Sequence, residues 1–192
     1  VLPFLENLLR LVTSTTSVPV VKKSLDKQLV KNEVIGAIPL RAKYCIEWTC
    51  GIEDGYSNNP LDPGGETKFG ISKRSYPLLD IKNLTLAKAQ EIYFKDYWLT
   101  ISADKLPQPL DLFVFDASVN HGCSAAISML QRVCRVPQDG KIGPQTLSRV
   151  KSVLPHHYLT ERAIRYAHDK NLDTFGRGWF NRLFEILLST RQ

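Results

Sequence analysis

The sequence predicts a mainly α fold that carries one small β-hairpin or irregular lobe after its first long helix. Three observations point there. Apolar residues recur at helical spacing through most of the chain beyond residue 41. One stretch, 57–65, is so dense in Asn, Pro and Gly that it excludes helix. Of the 192 residues, 43% are hydrophobic and 23% charged, an ordinary globular balance that argues against a disordered or collagen-like chain.

Residues 1–43 read as a basic helical arm. Leu5, Leu8, Leu9 and Val12 share one helix face, Ser14–Pro19 breaks the pattern, and a Lys-rich helical stretch follows to about Ile35. This arm either packs on the main domain or serves a membrane surface or a partner. Residues 44–192 form the main domain. A helix over Arg41–Ile52 carries Tyr44, Cys45, Trp48 and Ile52 on one side, and the turn-rich lobe follows. Thr85 is the expected N-cap of a helix running to Trp98. Further helices are expected over Pro109–Asn120 and Ser124–Val136, from Pro144, and over about 156–170 and 178–189.

The charge narrows little by itself. A net +6 favours anionic partners such as nucleic acid, membrane or cell-wall polymer. It is unevenly spread: residues 1–43 hold seven Lys+Arg against three Asp+Glu, and the remainder holds 18 against 16. No basic stripe with interleaved aromatics appears, so nucleic acid is not an expected partner. Cys45, Cys50, Cys123 and Cys134 form no CxxC pair and complete no zinc spacing with the four His residues, so reduced thiols and no metal are expected. No uncharged apolar run approaches the roughly 20 residues that cross a bilayer.

The chemistry concentrates in residues 53–70. Glu53 ends a helix and is followed by Asp62 and Thr67 on a Gly/Pro-rich lobe. Glycoside hydrolysis needs a protonated acid on the leaving oxygen and a second group that steadies positive charge or activates water. Glu53, with its acidity lowered by burial against Trp48 or Tyr56, suits the first role. Asp62 suits the second, with the Thr67 hydroxyl holding a water. Spacing alone does not separate this trio from exposed loop carboxylates.

A resemblance does. The run Glu53-Asp54-Gly55-Tyr56-Ser57-Asn58-Asn59-Pro60, continued by Asp62-Pro63-Gly64-Gly65-Glu66-Thr67-Lys68-Phe69-Gly70-Ile71, resembles the signature EGGYxNxPxDPGGxTxxGI of glycoside hydrolase family 108. Glu91-Ile92-Tyr93, Tyr97-Trp98, Phe115–Gly122, Leu130-Gln131, Asp139–Leu147 and Phe175–Arg182 continue it in unbroken order over about 44–187. The family comprises N-acetylmuramidases, many of them phage endolysins. The resemblance implies an α+β lysozyme-like fold, with a peptidoglycan-binding part over about 110–187. It implies cleavage of the β-1,4 bond between N-acetylmuramic acid and N-acetylglucosamine, leading to cell lysis, with Glu53 as the acid. Two departures stand out. Asp54 occupies a usual Gly position, and the gap from Asp62 to Thr67 is one residue shorter than in the similar triad of phage-type lysozymes.

Tyr56, Glu66, Tyr97, Trp98 and Asn120 are the candidate substrate contacts, Glu66 doubling as an alternative second carboxylate. Tyr97 and Trp98 either stack on sugar faces or belong to the core. Asn120 precedes a helix-ending Gly122, and His121 is not expected to be the base. The expected enzyme is a cofactor-free monomer acting on peptidoglycan strands. It would be phage-encoded, made in the host cytoplasm, and reach the periplasm and wall through a holin. A lytic transglycosylase and a non-catalytic wall-binding protein are the alternatives.

Overall fold

The computed structural model describes residues 38–51, 55–58 and 65–191. Glu53, Asp54 and Asp62 lie outside the described residues, as do residues 1–37 of the expected 1–43 arm. Those described belong to one compact unit, Ile38–Gln192. Among them the order is helix α1 (Leu40–Cys50), strands β1 (Thr67–Lys68) and β2 (Ile71–Ser72), then α2 (Leu86–Tyr93), α3 (Leu110–His121), α4 (Cys123–Cys134), α5 (Pro144–Val150), α6 (Pro155–Ala167) and α7 (Leu172–Leu188). The expected mainly helical fold with a hairpin after the first helix is what the chain adopts.

Helix α3 explains the architecture. Its sequence, LDLFVFDASVNH, is apolar all round, and every residue from Leu110 to Ser118 is buried. A helix without a polar face has to sit inside the others. Helices α1, α4, α6 and the turn Ala103–Lys105 pack around it. Asp111 in its first turn faces the favourable end of the helix dipole and takes a two-pronged ion pair from Arg41 of α1, at 2.7 and 2.8 Å.

Most boundaries fall within three residues of expectation, and two do not. The Thr85 cap is present, its hydroxyl accepting from Lys88 N at 3.2 Å. The helix it starts is α-helical only to Tyr93, after which Phe94–Leu99 forms a π-helical turn. Helix α7 begins at Leu172 rather than near 178, so Gly176 and Gly178 lie within it. Two glycines discourage a helix on propensity, but packing outweighs propensity here: Gly176 is buried, and a Cβ on it would lie 2.8 Å from the Leu172 side chain.

Asp139–Gly143 is the turn its residues suggested, and Gln131 is its anchor. The Gln131 side chain, 1% exposed, donates to Asp139 Oδ1 at 2.6 Å and to Lys141 O at 2.8 Å, and accepts from Gly140 N at 3.0 Å. That satisfies a buried amide completely and fixes the entry into α5. Among the described residues no helix is long and apolar enough to cross a membrane.

Candidate active site and the cleft beside it

Helix α1 ends at Cys50, and Gly51 turns the chain with φ +66°, a conformation that favours glycine. The next residues lead to Glu53. The last turn of α1 is held from across the molecule. Arg182 of α7 donates to the Thr49 carbonyl at 2.8 Å and lies over the Trp48 ring at 5.3 Å. The same guanidinium pairs with Asp116 of α3 through Nε at 3.0 Å and through Nη2. Arg162 of α6 stands on the other side, its Nη1 2.8 Å from Asp116 Oδ2, and both of these side chains are wholly buried. One carboxylate thus bridges two arginines, and one arginine caps an otherwise orphaned helix carbonyl.

The hairpin is built around a buried tyrosine. Lys68 and Ile71 pair directly, leaving Phe69 (φ +49°) and Gly70 (φ +75°) as a two-residue turn with both φ values positive, as a type I′ turn requires. Phe69 accepts that conformation because its ring is buried, at 8% exposure, and its carbonyl accepts from the Tyr93 hydroxyl at 3.0 Å. Gly70 has no alternative: a Cβ there would lie 2.6 Å from that same hydroxyl.

Ser57 extends the lobe. It bridges Thr67 by a reciprocal pair of backbone hydrogen bonds, both 2.8 Å, which closes the loop that contains Asp62. The lobe therefore brings together Tyr56, Glu66 and Thr67. The Tyr56 hydroxyl donates to Glu66 Oε1 at 2.8 Å, which pushes the exposed phenol up from its usual range. The Thr67 hydroxyl donates to Gly65 O at 3.0 Å. Its only hydrogen is engaged, so its oxygen is left to accept.

The other expected substrate contacts are spread elsewhere. Trp98 is 2% exposed and packs on Phe115 at 5.7 Å, so it is a core residue and has no face for a sugar. Tyr97 is half-buried beside Tyr93, its phenol pushed up by burial. Asn120 is exposed at the end of α3, and its amide nitrogen donates to Asp116 O at 2.7 Å.

Several groups withdraw from chemistry. Burial pushes the Cys45 and Cys50 thiols up to about 12, and all four cysteines are free. Hydrogen bonds from Lys95 and Lys88 lower Glu91 to about 2, so it stays an anion rather than an acid. Among the described residues no three His, Cys, Asp or Glu side chains cluster closely enough to hold a metal ion.

A separate cleft opens at the end of α3, lined by Asn120, His121, Arg165, Tyr166, Asp169 and Trp179. Tyr166 stacks on Trp179 at 4.9 Å and 17°, and His121 tilts against Tyr166 at 5.0 Å. Burial, reinforced by Arg162 and Arg165, lowers His121 to about 4, so its ring is neutral at pH 7.

The residues that organise this site were not legible as functional. Asp116, Arg162 and Arg182 are far apart in sequence, and only the first carries a local signal: an acid inside an apolar helix needs a buried partner.

The family model described as Glycosyl hydrolase 108 matches residues 46–122, which run from the second half of α1 through the hairpin lobe, α2 and α3. The structure of Brucella abortus SagA is similar to this chain, with 30% identity and a TM-score of 0.68, over 79% of this chain and 97% of that one. No curated protein matches the chain.

Proposed function

The chain belongs to glycosyl hydrolase family 108, and from that premise we propose that it cuts bacterial peptidoglycan at the β-1,4 bond between N-acetylmuramic acid and N-acetylglucosamine. Glu53 protonates the glycosidic oxygen. Asp62 steadies the developing oxocarbenium charge or, together with Thr67, orients the attacking water. The Thr67 oxygen acts as acceptor, which suits holding a water by one hydrogen while its lone pair faces the anomeric carbon. Tyr56, Glu66, Tyr97 and Asn120 contact the glycan, and Trp98 stays in the core against Phe115.

The observation that carries this reading is the family match, which includes the α1–hairpin segment. The Arg182–Thr49 and Ser57–Thr67 bonds support it, since they hold rigid both the helix end before Glu53 and the two ends of the loop bearing Asp62. In this proposal the enzyme is a monomeric phage endolysin. It is made in the host cytoplasm, released to the wall through a holin, and drawn to anionic surfaces by the basic arm 1–43.

Mass spectrometry of muropeptides released from purified sacculi tests the reaction. Hydrolysis leaves reducing N-acetylmuramic acid ends. Products lighter by one water, with 1,6-anhydro ends, would instead mark a lytic transglycosylase, and binding without products a wall-binding protein.

A further inference from the structure

The cleft of Asn120, His121, Arg165, Tyr166, Asp169 and Trp179 shares only Asn120 with the mechanism above, and its place is informative. Helices α1 and α3 run side by side with the same polarity. Arg41 meets Asp111 toward their N-terminal ends, and Arg182 ties Thr49 to Asp116 toward their C-terminal ends. The cleft opens at that C-terminal end, where the chain leaves α1 toward Glu53.

Its chemistry is that of a charged ligand with a short apolar part. Among the described residues, no hydrogen bond or ion pair engages the Arg165 guanidinium, which is exposed at the cleft rim. Asp169 is likewise exposed, and its Oδ1 accepts from Asn171 N at 2.8 Å. The two rim charges of opposite sign are thus available to a ligand. Between them lie a neutral imidazole, whose buried Nε2 has no partner, and the Asn120 amide. The wall is Trp179, but Tyr166 stacks on it and Phe175 crowds it at 5.9 Å, leaving little open ring face for a pyranose.

Building on the muramidase reading, we propose that this cleft binds the short peptide borne by the peptidoglycan glycan, Arg165 pairing a peptide carboxylate and Asp169 an ammonium or amide. The enzyme then reads the peptide substitution of a strand as well as its sugars. A charge-assisted pair at a rim that is only partly desolvated contributes about tenfold in affinity.

The test uses the full chain on two soluble substrates, glycan oligomers with intact peptides and the same oligomers stripped by an amidase. A KM about tenfold lower for the peptide-bearing substrate is expected, with similar kcat. Arg165→Ala and Asp169→Asn, the latter keeping the cap on Asn171, should erase that preference and leave the stripped substrate cut as before. Equal KM values in the wild type, or equal losses on both substrates in the variants, overturn the proposal. Free tetrapeptide titrated against labelled protein supplies a readout independent of catalysis. The Trp179 indole resonance should shift in the wild type and stay fixed in Arg165→Ala. A chain that cuts neither substrate yet shows this shift refutes the muramidase reading alone; absence of the shift refutes the peptide cleft.

Discussion

Arg182 donates a hydrogen bond to the carbonyl of Thr49 at 2.8 Å, joining the last long helix to the final turn of the first. That bond ends a chain of charges running from the buried Arg162 through the buried Asp116 to the half-buried Arg182, so a helix terminus near the proposed acid is fixed by residues at the far end of the sequence.

Asp116→Asn should therefore be among the most destabilising single changes in the protein. It leaves a wholly buried Arg162 without its counter-ion, and removing one partner of such a pair costs about 3–5 kcal/mol. Urea denaturation followed by far-UV circular dichroism would read this as a lower midpoint at unchanged slope. A midpoint within error of the wild type would mean the network contributes nothing.

Glu53→Gln should abolish release of reducing ends from sacculi while preserving the circular dichroism spectrum and the melting temperature. The amide keeps the size of the acid and cannot deliver its proton. Near wild-type clearing of a peptidoglycan suspension would remove Glu53 from the mechanism.

Gly70→Ala should cost about 1–3 kcal/mol, because the new Cβ meets both a positive φ and the Tyr93 hydroxyl. In a Tyr93→Phe background the collision is gone and only the backbone strain remains, so the alanine should cost less there. A double-mutant cycle measures this coupling, and strict additivity would show that the hydroxyl does not enforce the glycine.

Stability should depend on pH through His121. Its folded value, about 4, lies below the ordinary 6.5, so the unfolded chain binds the extra proton first as pH falls. The contribution is fully present above about pH 6.5 and is lost progressively down to about pH 4. Melting temperatures recorded across that window should fall more steeply for the wild type than for His121→Phe; parallel curves would exclude His121 as the source.

The fold was largely legible because helix periodicity, the Thr85 cap and the Gly/Pro-rich lobe are local signals. The π-helical turn at Phe94–Leu99 was not, since it shares its apolar spacing with an ordinary helix. The start of α7 at Leu172 carries no local signal, since Gly176 and Gly178 disfavour helix while the tight approach of Leu172 to Gly176 is a packing fact. In the site, the residue types of the lobe announce themselves, as the Tyr56–Glu66 bond and the Thr67 bridge illustrate. Trp98 shows the opposite limit: an aromatic at a helix end looks the same in sequence whether it meets a sugar or Phe115.

The Ser57–Thr67 bridge has a consequence for divergence within the family. It pins both ends of the intervening loop to the hairpin, so the number of residues between them is free to vary without shifting the strands. Closing a slightly longer or shorter loop changes the chain entropy by only a fraction of a kcal/mol. The one-residue shortening between Asp62 and Thr67, relative to phage-type lysozymes, falls inside that loop. Insertions and deletions there change the reach of the lobe while the Ser57–Thr67 bridge and the hairpin stay constant.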